Sequence, residues 1–219
     1  MRILGLTGSI AMGKSFAASV FDAFGVPVFD ADAAVHRLLG PGGAAVTAVT
    51  GLFPEAADGR GGIDRTALGR RVFADRTALR RLEAILHPLV RDCERRFLER
   101  CARAGVRLAV LDIPLLLETG GDRRTDRVAV VTCHPLLQEQ RALRRPGMTG
   151  ERLAAVRAAQ MPEAEKRRRA DYVIPTGQGK GTTLAIIRRI VLEMRRIPAG
   201  VWPQRWFLNA REEGRPHAA

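Results

Sequence analysis

An open α/β fold, with a five-stranded parallel sheet and helices on both faces, is predicted by three observations on the sequence. Short β-rich runs alternate with helical stretches, the pattern of crossover-connected parallel strands. The third and fourth runs are rich in Val and Leu without strict alternation, as strands covered on both faces are. The first run passes through a glycine-rich turn directly into a helical pattern.

The first strand, Ile3 to Thr7, runs into Gly8-Ser9-Ile10-Ala11-Met12-Gly13-Lys14-Ser15, which fits G-x-x-x-x-G-K-[ST]. Glycines at both ends let backbone N–H groups turn inward around phosphate oxygens. Lys14 can then reach the terminal phosphates and the Ser15 hydroxyl can ligand Mg²⁺. A helix is expected from Ser15 to Phe24, with Phe16, Val20 and Phe24 on one face and Gly25 as its stop. Strand, loop and helix together predict a P-loop NTPase-type core, with the positive end of the helix dipole set against bound phosphates. Only Lys14, Lys166 and Lys180 are lysines in a chain otherwise basic through Arg, and one of them stands where the motif requires it.

The remaining strands are expected at Val26 to Asp30, Val106 to Ile113, Arg127 to Thr132 and Tyr172 to Ile174. The core is thus assigned to residues 1–34, 105–135 and 171–197. Between the second and third strands, residues 35–104 carry a helical pattern punctuated by Pro41-Gly42-Gly43 and Asp58-Gly59-Arg60-Gly61-Gly62; Leu79, Leu82, Leu86 and Leu89 keep helical spacing as core positions. This is read as an inserted helical lobe for an acceptor. Residues 136–170 are dense in Arg, turn at Pro146-Gly147, and are read as a mobile lid. After Ile197 the pattern dissolves into a tail, 198–219, that holds Trp202 and Trp206 and whose composition favours partial disorder.

At 219 residues and 46% hydrophobic content the chain suits a single globular protein with one sizeable core. The net charge of +13 raises polyanion binding, but the Arg residues are spread along the chain and aromatics make up only 5%, so stacking platforms for nucleic acid are scarce. Cys93, Cys101 and Cys133 form no C-x-x-C pair and fit free thiols in a reducing compartment. No apolar run approaches a membrane span and no signal-type apolar segment opens the chain, so a cytoplasmic protein is expected.

Among phosphate-loop proteins, GTP-binding switches read guanine with N-K-x-D, yet the only asparagine is Asn209. Motor-type ATPases end the relevant strand in Asp-Glu, where this chain has Leu111-Asp112-Ile113-Pro114. A small kinase remains, and it needs a carboxylate near an acceptor hydroxyl. Asp30 and Asp32 close the second strand at the edge that carries the phosphate loop. Either can orient the hydroxyl and accept its proton, or cap the helix that starts near Ala33. Asp112 can meet Mg²⁺ through water or only shape its strand end.

Further blocks carry a resemblance over Met1 to about Ile174: Asp30-Ala31-Asp32, Pro41-Gly42, Arg71-Val72-Phe73, Leu86-His87-Pro88, Pro114-Leu115-Leu116-Leu117-Glu118, Arg141 with Arg145, Ala159-Gln160 and Ala170-Asp171-Tyr172-Val173-Ile174. Together with the phosphate loop these resemble the dephospho-CoA kinase family. The resemblance implies Mg²⁺-dependent transfer of the ATP γ-phosphoryl group to the ribose 3′-hydroxyl of dephospho-CoA. It further implies that Asp32 is the catalytic carboxylate, aided by Lys14 and Arg145, that Arg141 and Arg145 meet ATP phosphates, and that His87, Pro114, Leu115 and Glu118 surround the acceptor. Read from the residues alone, His87 is equally a buried helix-end histidine, and the two arginines a solvated helix face. The family's polar stretch after the last strand is replaced here by Pro175-Thr176-Gly177, and no base-contacting residue is assigned there. A monomer acting on ATP and dephospho-CoA, without nucleic-acid or membrane partners, is the expectation; another small-molecule kinase or a nucleic-acid-binding ATPase are the alternatives.

Overall fold

A computed structural model describes residues 1–73, 75–204 and 206. The chain divides into two compact units, Met1–Phe29 with Arg100–Ala219, and Asp30–Glu99.

The first unit is built on the sheet. Strands β1 (Arg2–Thr7), β2 (Val28–Asp30), β3 (Leu108–Asp112), β4 (Arg127–Thr132) and β5 (Tyr172–Pro175) lie in the order β2-β3-β1-β4-β5. β1 runs parallel to both β3 and β4, and β4 parallel to β5. The register sets Leu6 beside Asp112, so the exits of β1 and β3 are neighbours. Strand order reverses across β1, and in open α/β sheets that switch point is where ligands bind.

The sheet separates two cores by the period-2 alternation of its side chains. Leu4, Leu6, Val110, Ala129 and Val131 pack with Phe21, Ile187, Ile190 and Met194 from helices α1 (Lys14–Ala23) and α9 (Lys180–Met194), whereas Val128 and Val130 join Leu116 and Leu117. Every residue of β3 is buried, as expected of a strand covered on both faces. β2 begins at Val28 rather than Val26, since Pro27 has no N–H to give a ladder, although its carbonyl accepts from Val110 N at 2.9 Å. The segment after β4 forms α6 (Pro135–Leu143), α7 (Gly150–Ala159) and α8 (Glu163–Arg169).

Within the tail, for which composition favours partial disorder, Gly200, Val201 and Trp206 are tethered. Asp126 Oδ1 accepts from Gly200 N (2.9 Å) and Val201 N (3.1 Å) while its Oδ2 accepts from Ile3 N (2.7 Å). Trp206 is buried, donates Nε1–H to the Arg124 carbonyl at 3.2 Å and stacks under the Arg124 guanidinium at 5.4 Å. Residues 205 and 207–219 lie outside the described residues.

The second unit is helical: α2 (Ala31–Leu39), α3 (Val46–Leu52), α4 (Arg65–Phe73) and most of α5 (Arg76–Arg103). Its core is Leu38, Val49, Phe53, Leu68, Leu82 and Leu86, with Leu79 and Leu89 half-buried against it, which matches the helical leucine spacing. The glycine-rich turn is organised by Asp58, whose Oδ1 accepts from Arg60 N (2.7 Å) and Gly62 N (2.9 Å); these backbone bonds hold its carboxyl below the usual range.

Candidate active site

The glycine-rich segment leaves β1 at Thr7 and enters α1 at Lys14, one residue earlier than the sequence pattern places the helix start. Two positions need backbone room. Gly13 sits at φ +91°, and a Cβ on it would lie 2.7 Å from Thr176 Oγ1; a Cβ on Gly8 would lie 2.8 Å from the Val131 carbonyl oxygen. Ala11 also takes positive φ, at 60°. These left-handed residues are what lets successive N–H groups face one concavity.

The outer side of the loop is gripped by side chains. Gln160 Oε1 accepts from Ile10 N (3.1 Å), Gln138 Nε2 donates to the Ile10 carbonyl (2.9 Å), Ser9 Oγ donates to Glu163 Oε2 (3.2 Å), and Thr176 Oγ1 donates to the Met12 carbonyl (2.6 Å). Among the described residues, no protein acceptor stands against the N–H groups of Ala11, Gly13 or Lys14. Backbone donors left open at the start of a ten-residue helix are what an anion nest requires, and a helix dipole adds to such a nest.

Beside that nest, Lys14 Nζ lies 2.6 Å from Asp112 Oδ1, and Asp112 is only 3% exposed. The sequence left Asp112 open between a metal contact and a strand-end role; here it holds the loop lysine. Ser15 follows in the first turn of α1 with its side chain exposed. A hydroxyl and a carboxylate suit a hard, oxygen-seeking cation such as Mg²⁺.

The two sequence-predicted arginines stand apart in setting. Arg141 is half-buried, donating from Nη1 to Thr176 Oγ1 (3.0 Å) and from Nη2 to the Thr176 carbonyl (3.1 Å). Arg145 lies just past the end of α6 and is exposed.

Pro114 is half-buried and Leu115 is 39% exposed, but Glu118 is turned inward. Its Oε1 accepts from Met161 N (3.0 Å) and pairs with the ammonium of the fully buried Lys166 at 2.8 Å. A buried lysine demands a carboxylate partner, which is the physical reason Glu118 braces segment 161–166 instead of facing outward.

Burial pushes the Glu163 carboxyl above its ordinary value against the opposing effects of Ser9, Lys166 and Arg167, and its Oε1 has no hydrogen-bond partner among the described residues. A raised acid pKa means that the folded protein keeps a proton the unfolded chain releases. That contribution is complete below the ordinary glutamate value and is lost as pH rises through the raised one. Glu163→Gln is therefore expected to gain on the wild type as pH rises through this window, measured as the difference in unfolding free energy from urea titrations. A constant difference would refute the assignment.

In the helical unit, Asp30 is the N-cap of α2, its Oδ1 accepting from Ala33 N at 2.9 Å. Asp32 lies in the first turn, exposed and without a capping bond, so of the two aspartates the capping role falls to Asp30. His87 is exposed and lies in the interior of α5, next to Pro88; the reading of a buried helix-end histidine is thereby corrected.

Gln138, Glu163, Lys166 and Thr176 were not found by sequence reasoning. Gln160 entered only as part of a family block. A buried-polar signal is faint in sequence, and only Thr176 stood out, as a departure from the family's pattern.

A lysine–aspartate pair and a donor-lined loop at the switch point of a β2-β3-β1-β4-β5 sheet define the class of phosphate-loop kinases and NTPases. Residues 2–180 match the family model described as Dephospho-CoA kinase. The chain is 52% identical over 216 residues to the dephospho-CoA kinase of Rhodospirillum rubrum, covering 99% of this chain and all of the relative. It is 60% identical over 195 residues to that of Paramagnetospirillum magneticum, covering 89% and 92%. A Thermus thermophilus crystal structure superposes with a TM-score of 0.76 at 37% identity, covering 88% of this chain and 96% of that one. Campylobacter jejuni dephospho-CoA kinase shares the fold, with a TM-score of 0.66 at 23% identity over 90% and 98%. The chain belongs to the dephospho-CoA kinase family.

Proposed function

We propose that the protein transfers the γ-phosphoryl group of ATP to the ribose 3′-hydroxyl of dephospho-CoA, giving coenzyme A and ADP. The observation that carries this reading furthest is the Lys14–Asp112 pair at 2.6 Å beside a loop whose Ala11, Gly13 and Lys14 N–H groups have no protein acceptor among the described residues. Phosphoryl transfer asks a protein chiefly for alignment and for positive charge around the equatorial oxygens.

In this reading residues Gly8 to Ser15 cradle the ATP phosphates, Lys14 leaves Asp112 for the terminal phosphates, and the exposed Arg145 adds charge as the transition state forms. Arg141, anchored on Thr176, supports the phosphates from α6. Asp32, free of capping work, orients the acceptor hydroxyl and takes its proton. His87, Pro114, Leu115 and Glu118 lie around the acceptor, with Glu118 also bracing Met161 and Lys166. Mg²⁺ would be held by Ser15, with Asp112 reached through water, and would neutralise charge shared between the β- and γ-phosphates.

No helix among the described residues is long and apolar enough to cross a membrane. We place the enzyme in the cytoplasm, as a monomer acting on small molecules rather than on nucleic acid.

Purified protein with Mg²⁺-ATP is expected to phosphorylate dephospho-CoA, with the new phosphate on the ribose 3′ oxygen by phosphorus and proton NMR. Adenosine, shikimate or gluconate as the better acceptor would defeat the proposal, as would ATP hydrolysis stimulated by DNA or RNA.

A further inference from the structure

We infer that Gln138 and Thr176 are positioning residues for the phosphoryl donor: each grips an outward carbonyl of the glycine-rich loop and thereby aims the next N–H into the phosphate nest. The inference rests on the reading that this loop holds the ATP phosphates.

The peptide group is planar. In a trans peptide the C=O and the following N–H point in opposite directions, so anchoring one fixes the other. The cis bond found among the described residues is Trp202–Pro203, far from the loop in sequence. Gln138 Nε2 holds the Ile10 carbonyl at 2.9 Å, which turns the Ala11 N–H the other way. Thr176 Oγ1 holds the Met12 carbonyl at 2.6 Å, which does the same for Gly13 N–H. These are two of the N–H groups with no protein acceptor among the described residues.

Both grips are set by an arginine. Arg157 Nη2 donates to Gln138 Oε1 at 2.8 Å; a guanidinium only donates, so the Gln138 oxygen must face it and the amide nitrogen must face Ile10. Arg141 Nη1 donates to Thr176 Oγ1 at 3.0 Å, occupying a lone pair and leaving the single hydroxyl proton to go elsewhere. Met12 O at 2.6 Å is a better acceptor for that proton than Thr132 O at 3.3 Å. Gln138 and Thr176 are 5% and 7% exposed, so water is poorly placed to replace either bond. The absence of a Cβ at Gly13 is what lets Thr176 approach.

The test compares Thr176→Val, Thr176→Ser, Gln138→Glu and the wild type. Valine keeps the shape of threonine without its hydroxyl; glutamate keeps the shape of glutamine without its donor. Affinity for inorganic tripolyphosphate is read by calorimetry, steady-state KM separately for ATP and dephospho-CoA, and the amide signals of Ala11 and Gly13 by nitrogen-edited NMR. One misaimed donor is expected to weaken tripolyphosphate by roughly 5–20-fold in Thr176→Val and in Gln138→Glu, and to raise KM for ATP in parallel. KM for dephospho-CoA should stay put, and Thr176→Ser should recover to within about twofold of the wild type. The Gly13 amide should lose its response to tripolyphosphate in Thr176→Val, and the Ala11 amide in Gln138→Glu.

Wild-type affinity in both donor-deleted variants, or equal rises in both KM values, would overturn the inference. If one variant fails to fold, the other decides, because the two grips act on different peptide planes. A wild-type protein that ignores dephospho-CoA would refute the functional reading, while the tripolyphosphate comparison would still decide the positioning roles.

Discussion

Asp32→Asn is expected to lower kcat by about 10²-fold or more, the loss typical of a missing general base, while ATP affinity stays within a small factor of the wild type. The expectation is sharp because the competing structural role has another owner. Asp30 accepts the Ala33 N–H that an N-cap must satisfy, and Asp32 is exposed in the first turn of α2 with no such bond. Its carboxylate contributes to stability chiefly through the helix dipole, about 0.3–1 kcal/mol at an exposed position. Asparagine keeps the size and hydrogen-bonding reach of the side chain but cannot take a proton at neutral pH. Rapid-quench turnover paired with equilibrium ATP binding separates the two contributions. Near-normal turnover would leave Asp32 with the dipole role alone. Asp30→Asn is the matched control, because asparagine caps as well as aspartate does.

Lys14→Met should lose both activity and stability, for different reasons. Removing a donor aimed at developing charge costs about 10²–10³-fold in kcat, and the lost phosphate contact raises KM for ATP as well. Stability suffers because Asp112, 3% exposed and 2.6 Å from the lysine nitrogen, loses the ammonium that pairs with it in the interior. Breaking one half of a buried pair typically costs about 3–5 kcal/mol when the remaining charge is stranded, and less is expected here because Asp112 keeps a further interaction. The double variant Lys14→Met with Asp112→Asn is therefore expected to regain most of the stability and none of the activity, measured by urea unfolding and by coupled assay. A double variant as unstable as Lys14→Met alone would show that the loss arises elsewhere, in the packing of the lysine stem.

Much of this site was legible because its central part is contiguous. Gly8 to Ser15 are consecutive, and the constraints that mark them as a phosphate-loop motif, positive φ at Gly13 and a lysine opening the helix, act between sequence neighbours. The strands were legible for a related reason: burial on both faces of β3 leaves Leu108 to Leu111 as a run without polar interruption. Strand limits moved where one residue overrides the run, as Pro27 does at the start of β2.

What escaped sequence reading depends on partners far apart along the chain. Gln138 meets Ile10 across 128 residues, Gln160 meets the same residue across 150, and Thr176 meets Met12 across 164. Nothing in the identity of a glutamine or a threonine announces a buried grip on a distant carbonyl. The resemblance set Glu118 around the acceptor; that it also answers the buried Lys166, 48 positions on by numbering, is a pairing no spacing announces. In the tail, the hold of Asp126 on Gly200 and Val201 and the fit of Trp206 to Arg124 are contacts that composition does not record.

By itself the amino-acid order determined the α/β class, the phosphate loop with Lys14 and Ser15, and the family to which the chain belongs, since each follows from side chains at short fixed spacings. Tertiary structure alone decided that Asp112 holds Lys14, that Asp30 rather than Asp32 caps its helix, and that four side chains clamp the loop from outside. The physical reason is that a buried polar group is satisfied by whichever partner the packed strands and helices bring within hydrogen-bond reach, and that choice is made in three dimensions.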